Sequence, residues 1–195
     1  MVVGITGGIG SGKTTVLNLF KKYNVATYIA DIEAKNLMNT SSVIRQKLIL
    51  EFGNEVYLDN KLNRPFLADI VFNNKEKLAI LNSIVHPEVF KHLDNFINSN
   101  LDKEYILYEN AILFENGSDA LCNKIITVTA PEKVKIDRII KRDNSTRKEV
   151  LQRMNNQWLE ERKTIQSNYI IYNIELESTL KAVSRIHNIL TKIKS

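Results

Sequence analysis

The sequence predicts an α/β fold: a five-stranded parallel sheet with a long helical insertion between its second and third strands. Two observations predict it. Residues Gly7-Gly8-Ile9-Gly10-Ser11-Gly12-Lys13-Thr14 read G-x-x-x-x-G-K-T, a P-loop, set between the apolar run Val2–Thr6 and an apolar-faced helical stretch that continues through Val16, Leu17 and Phe20. Beyond it, short β-branched and aromatic runs alternate with longer helical stretches, the pattern of parallel strands joined by helical crossovers.

The candidate strands are Val2–Thr6, Ala26–Ile29, Tyr105–Tyr108, Ile125–Thr129 and Tyr169–Tyr172. Core sheet is expected over residues 1–33 and 104–195 of a single 195-residue domain, with a mostly helical insertion over about 34–103. Inside the insertion, Ser41 or Ser42 reads as an N-cap, Pro65 as part of a first helical turn, and Pro87 as the opening of a further helix. Pro131 opens a helix running to about Arg142, Asn144-Ser145 is a turn, and Thr146 with Glu149 forms a capping box. The last helix starts near Ser178, with Leu180, Val183, Ile186, His187 and Leu190 at helical spacing. No internal repeat or flexible linker interrupts this order.

Composition excludes several classes. A hydrophobic share of 44% with 25% charged residues is that of an ordinary globular domain. No apolar run approaches the roughly 20 residues of a membrane span. Cys122 is the only cysteine, so no intrachain disulfide can form, and it reads as a small buried hydrophobe in a reducing compartment. The P-loop begins almost at once, leaving no room for a signal segment, and a cytoplasmic location is expected. The net charge of +5 is local: residues 133–163 hold ten Lys/Arg and five Asp/Glu, and the rest of the chain is balanced. That stretch lacks the aromatic interleaving of a single-strand nucleic-acid platform, so a basic lid over a polyphosphate, about 139–165, is the expectation.

Each residue type in the loop has a chemical task. Gly7, Gly8, Gly10 and Gly12 tolerate positive φ and let backbone N–H groups converge, while the helix N-terminus adds positive potential. Ser11, Gly12, Thr14 and Thr15 carry further amides and hydroxyls towards the phosphates. Lys13 places a charge on the β- and γ-phosphates of a nucleoside triphosphate, and the Thr14 hydroxyl is placed to bind Mg²⁺. Asp31 directly follows the second strand, where carboxyl ends of parallel strands face the ligand crevice, and can accept the proton of an attacking hydroxyl. An N-cap role on the helix after it is the plainer reading of the same residue. Glu109, at the end of the third strand, is a weaker candidate for a metal shell. No N-K-x-D guanine-reading motif is present, because Asn123-Lys124-Ile125-Ile126 lacks its aspartate.

Beyond the loop, the chain carries Ala30-Asp31-Ile32-Glu33-Ala34, Leu62-Asn63-Arg64, Leu81-Asn82-Ser83-Ile84-Val85-His86-Pro87, Ile112-Leu113-Phe114-Glu115, Lys141-Arg142-Asp143 and Asn156-Gln157-Trp158. In this order the segments resemble the dephospho-coenzyme A kinase family, and the resemblance runs from Val3 to about Asn173. It implies a nucleoside-monophosphate-kinase-like P-loop fold with a helical acceptor-binding part and a mobile helical lid. The implied reaction carries the γ-phosphate of ATP to the ribose 3′-hydroxyl of dephospho-coenzyme A, with Mg²⁺, and requires no nucleic acid, membrane or obligate protein partner. Thr6, Asp31 and Arg142 match the family's active-site positions, with Asp31 as base and Arg142 on the transferred charge. Arg138, one helical turn earlier, is placed to assist, and Asn173 is an adenine-side candidate. Arg64, His86 and Glu115 fall in the acceptor-side motifs. Each also has a structural reading: a surface arginine, a hydrogen bond before a proline at a helix start, and a backbone cap. Trp158 reads as core, with a pocket wall as the alternative.

The chain departs from the family at Ile29, where many members have a second aspartate, at Ala111 in place of a proline, and at Ile171-Tyr172-Asn173 in place of I-D-N. Two other readings stay open at this point: another small-molecule kinase of the nucleoside monophosphate or shikimate type, and a nucleotide-gated binding protein without transfer.

Overall fold

The structure is a computed structural model describing residues 1–72 and 74–194. In chain order the main elements are β1 (Val2–Thr6), α1 (Lys13–Phe20), β2 (Ala26–Ile29), α2 (Ala30–Thr40), α3 (Ser42–Phe52), β3 (Tyr57–Leu58), β4 (Lys61–Leu62), α4 (Arg64–Phe72) and α5 (Lys75–Asn98). There follow β5 (Ile106–Glu109), β6 (Lys124–Thr129), α6 (Glu132–Asp143), α7 (Arg147–Asn155), α8 (Glu160–Gln166), β7 (Tyr169–Tyr172) and α9 (Leu176–Lys194). The chain divides into two compact units, Met1–Tyr28 with Asn100–Ser195, and Ile29–Ser99.

The first unit is built on the sheet, in the order β2-β5-β1-β6-β7. β1 pairs in parallel with β5 (Val3 opposite Leu107) and with β6 (Ile5 opposite Ile126), and β6 pairs in parallel with β7. The central strand is buried throughout because both of its faces are covered: Val3 and Ile5 are fully buried, as are Val16, Leu17 and Phe20 of α1 and Val183 and Leu190 of α9. Gly4 in this strand is required by a close approach, since a Cβ there would stand 2.8 Å from the Cys122 sulfur. Burial pushes the Cys122 thiol up to about 12, so it is no nucleophile and packs as a small apolar group. The capping box at Thr146 and Glu149 forms as the sequence predicts, and α9 begins at Leu176, two residues before the expected start.

The second unit is a helical layer with one small hairpin. Apolar faces of α3 (Ile44, Leu48, Phe52), α4 (Leu67) and α5 (Val85, Val89, Leu93) are its buried interior. Ser41 caps α3 through the Ile44 N–H, and Asn63 Oδ1 accepts from Phe66 N–H above the first turn that contains Pro65. The β3–β4 hairpin is absent from the sequence reading. Its turn, Asp59-Asn60, takes the left-handed conformation at both residues (φ 48 and 63), the geometry a tight two-residue hairpin needs. Arg45 holds that turn by hydrogen bonds to the Asn60 carbonyl and side chain while stacking on Tyr57.

Pro87 corrects another expectation, since it opens no helix. It lies inside the 24-residue α5, whose start is capped by Asn74 Oδ1 on the Lys77 N–H. Proline in a helix interior removes a hydrogen bond. Here Val85, Val89 and Leu93, on one face either side of it, bury against the unit, and that packing carries the helix through.

Candidate active site

The P-loop leaves β1 at Thr6 and enters α1 at Lys13 through Gly12, which stands at φ 86. No side chain caps α1, so its first-turn N–H groups remain for an anion. A Cβ on Gly12 would fall 2.1 Å from Asn173 Nδ2, and one on Gly10 (φ 82) would fall 2.5 Å from the Lys135 carbonyl. Only glycine lets the loop lie this close to its supports. Gly7 also uses positive φ, whereas Gly8, expected to do so, does not. Lys13 Nζ donates to the Gly7 carbonyl at 3.0 Å and stands 3.9 Å from buried Glu109. The ammonium is thus folded over the loop it serves. Thr14 and Thr15 are exposed on the first turn of α1, while Ser11 is buried with its hydroxyl lacking a hydrogen-bond partner.

Two side chains support the loop from behind. Asn173 donates to the Ser11 carbonyl at 2.9 Å and accepts from Thr179 Oγ1 at 3.3 Å. Arg138 donates to the Asn173 carbonyl at 2.9 Å and the Ser11 carbonyl at 3.4 Å. Arg138 is therefore the arginine at the P-loop. Arg142, one turn later, instead holds Asp143 with two hydrogen bonds of 2.6 and 3.0 Å, and its side chain is 63% exposed. That pairing raises the Arg142 guanidinium further and, with Arg153 at 2.8 Å, holds the Asp143 carboxyl down at about 2.

Beside the outer turn of the loop lies a cavity of about 630 Å³, lined among others by Gly8, Ile9, Pro131, Met154, Trp158 and Leu159. Gln157 Oε1 accepts the Ile9 N–H at 2.9 Å. Lys135, 5% exposed, pairs with Glu160 at the cavity wall. Lys163, fully buried, donates to Glu115 and to the Ala111 carbonyl, both at 2.7 Å. The same carbonyl accepts from Thr6 Oγ1 at 3.4 Å. A proline at 111 would supply the same carbonyl, so that departure costs no acceptor. Glu115 Oε1 also accepts the Trp158 N–H at 3.0 Å, so Glu115 is engaged with protein groups at that oxygen. Trp158 is half-buried rather than core: it stacks parallel to Phe114 and carries the Arg162 guanidinium 3.3 Å from its ring centre.

These contacts revise the picture of the basic stretch. Lys135 and Lys163 are inside the protein, and Arg142 and Arg153 converge on Asp143. Sequence reasoning assigned no role to Gln157, Lys135 or Lys163. Gln157 stands in a motif shared with the family, and that was its one signal; nothing in the spacing of the lysines marked them as buried.

In the unit Ile29–Ser99, Asp31 is exposed in the first turn of α2. It is not the N-cap: that position is Ile29, and no side chain caps the helix. The strand runs straight into the helix, which places Asp31 inside the first turn with its carboxylate unused by the backbone cap. Arg64 is exposed as the first residue of α4. His86 lies mid-helix in α5 rather than at a helix start, edge-on to Phe90, and burial holds its imidazole below the ordinary value. Among the described residues no three His, Cys, Asp or Glu side chains cluster as a metal site. No helix there is long and apolar enough to cross a membrane.

A family model described as dephospho-CoA kinase matches residues 1–178. A protein of Bacteroides fragilis named dephospho-CoA kinase is 35% identical over 171 residues, 88% of this chain and 83% of its own length. One of the same name from Fusobacterium nucleatum is 36% identical over 187 residues, 95% of this chain and 96% of its own. The crystal structure of TT1252 from Thermus thermophilus superposes with a TM-score of 0.85 at 28% identity, covering 99% of this chain and 97% of that one. Matched along nearly its whole length in sequence, the chain belongs to the dephospho-CoA kinase family.

Proposed function

We propose that this chain transfers the γ-phosphate of ATP to the ribose 3′-hydroxyl of dephospho-coenzyme A, releasing coenzyme A and ADP. The observation that carries the reading is the P-loop itself. It has an uncapped helix N-terminus, Lys13 folded over it and Asn173 and Arg138 fixing it from behind, in a chain of this family. Phosphoryl transfer asks for little covalent chemistry from the protein and much positioning and charge stabilisation.

The acceptor oxygen forms a bond to the γ-phosphorus, the bond from that phosphorus to the β–γ bridging oxygen breaks, and ADP leaves with the electron pair. Asp31 takes the proton of the 3′-hydroxyl. Lys13 and the amides of Gly10, Ser11, Gly12, Thr14 and Thr15 hold the donor. Arg138 holds the loop from behind, and Arg142 joins the transferred charge by leaving Asp143. Arg64, His86 and Glu115 serve the acceptor, and Thr6 orders the loop after β5. Within the expected lid stretch, about 139–165, the part before Gln157 closes over the donor and excludes water. The described residues offer an exposed Thr14 and no carboxylate cage, a donor set that suits Mg²⁺ brought in on the phosphates with its own waters. Bound there, the ion would neutralise charge on the β- and γ-oxygens, held by Thr14.

The test is incubation with ATP, Mg²⁺ and a panel of acceptors, including shikimate and nucleoside monophosphates. Phosphorylated product from dephospho-coenzyme A is expected. Product from another acceptor alone overturns the substrate, and tight ATP binding with no product overturns the transfer. Asp31→Asn is expected to lose turnover while keeping nucleotide affinity; near-wild-type turnover would remove Asp31 as the base.

A further inference from the structure

The segment before α8 reaches the P-loop at a point the phosphate-binding role leaves unexplained. Ile9 N–H, on the loop's outer turn, donates to Gln157 Oε1 at 2.9 Å. The backbone that carries Gln157 is fixed on both sides. Its own N–H donates to the Met154 carbonyl at 3.1 Å, and the next N–H, of Trp158, donates to Glu115 in the loop after β5. Glu115 is in turn held by fully buried Lys163 of α8.

A second contact converges on the same turn. Glu160, paired with Lys135, brings Oε1 to 3.4 Å from where a Cβ would stand on Gly8, and that oxygen is buried without a hydrogen-bond partner. A buried ion pair is weak evidence for stability in itself. Two buried lysines spent on fixing one short segment point to a requirement on where that segment sits.

We propose that Gln157 is a positioning residue: it holds the outer turn of the P-loop against the segment 157–160, so that the γ-phosphate is presented to the acceptor rather than to water. The Lys135–Glu160 and Lys163–Glu115 pairs fix the segment that carries it. This rests on the phosphoryl-transfer reading above and adds to it a link between α8, the loop after β5 and the donor site. When the link is cut, the loop still offers its inner amides and Lys13 to ATP, but its outer turn is free to shift. Water then competes: its oxygen bonds the γ-phosphorus, the bond to the β–γ bridging oxygen breaks, and inorganic phosphate, ADP and a proton are released.

The test compares wild type with Gln157→Met, which keeps volume but offers no comparable acceptor, and Gln157→Glu, which keeps an acceptor at the same reach. ATP, Mg²⁺ and dephospho-coenzyme A are supplied, and ADP and phosphorylated acceptor are both counted. Wild type is expected to give one ADP per product. Q157M is expected to lose transfer by about 100-fold, the scale of a small misplacement of reacting groups, with ADP now exceeding product. Q157E is expected to keep the ratio at one. A nucleotide-induced rise in Tm, which only a folded and binding-competent protein shows, is expected in all three.

Q157M with wild-type transfer and ratio overturns the inference. So does Q157E uncoupled to the same degree as Q157M. Loss of the nucleotide-induced rise in Q157M would assign Gln157 to donor binding and overturn positioning. Wild type that never phosphorylates dephospho-coenzyme A sinks the functional reading instead, a different result from any of these.

Discussion

The unit Met1–Tyr28 with Asn100–Ser195 buries Lys135, Lys163, Glu109, Asn110 and Asn173, whereas the buried side chains described in Ile29–Ser99 are aliphatic or aromatic. The contrast teaches how the two units keep their shape. The first binds its loops with charged and amide groups that have lost their water, and each must find a partner inside. For Lys135, Lys163 and Asn173 those partners are the loop carbonyls of Ser11 and Ala111 and the carboxylates of Glu115 and Glu160. The result is a phosphate loop held in place before any ligand arrives, which is the economy of a preorganised electrostatic site. The second unit stacks apolar helix faces, which fixes a scaffold and leaves Asp31 and Arg64 at its surface.

The largest expected effect tests this contrast directly. Lys163→Met should cost about 3–5 kcal/mol in urea unfolding, because Glu115 and the Ala111 carbonyl lose a buried cation. Lys77→Met removes the matching pair of the helical unit, Lys77 with Glu51 at 2.8 Å. Being about one-third exposed on both sides, that pair should be worth under about 1 kcal/mol. Equal losses would break the comparison.

Next in size, Leu93→Ala in α5 should cost about 2–5 kcal/mol as a cavity at a site only 1% exposed. ATP affinity should stay at the wild-type value, measured by calorimetry. A matching loss of ATP affinity would show that the helical unit also sets the phosphate loop.

Arg138→Ala and Arg142→Ala sharpen the donor side. Removing Arg138 takes two charged hydrogen bonds from the Ser11 and Asn173 carbonyls, so the ATP KM should rise by about tenfold or more, the loss of a single such bond being worth about 1.5 kcal/mol. Arg142→Ala should leave that KM near wild type and lower kcat. The reverse pattern would assign Arg142 to donor binding.

The smallest effect is a pH dependence in the helical unit. Burial depresses the His86 pKa below its ordinary 6.5, so the folded state holds the imidazole neutral. The unfolded chain binds the proton first as pH falls. The contribution is therefore complete above 6.5 and is lost as pH falls through the folded value. His187, also depressed by burial, acts in the same direction from the other unit. Thermal unfolding between about pH 7.5 and about pH 5.5 should show a shallower fall in Tm for His86→Gln than for wild type. An unchanged slope would remove His86 from the account.

Much of the fold was legible in the sequence where local patterns carry their own physics. The strand–loop–helix around Lys13, the capping box at Thr146 and the apolar stripe Val183, Ile186, Leu190 all follow from spacing and residue type. Local rules misled at Pro87, where a tertiary face overrode a helix breaker, and at Asp31, where the strand passed into α2 without the cap its carboxylate could have made. The Asp59-Asn60 hairpin had a readable signal, two residues that tolerate the left-handed conformation, but its strands are only two residues each and show no alternation.

By itself, the sequence determined a loop suited to a triphosphate, because backbone amides, four glycines, Lys13 and Thr14 in that spacing match what a polyphosphate needs. With the family's motifs it also determined the family. Only the tertiary structure decided which arginine stands at the loop, that Asn173 supports it, that Lys135 and Lys163 are interior, and that Gln157 reaches Ile9. Those contacts join residues 35 to 162 positions apart and depend on where strands and helices pack. Spacing along the chain records neighbours on one helix or strand, and not the partners that folding brings from the rest of the molecule.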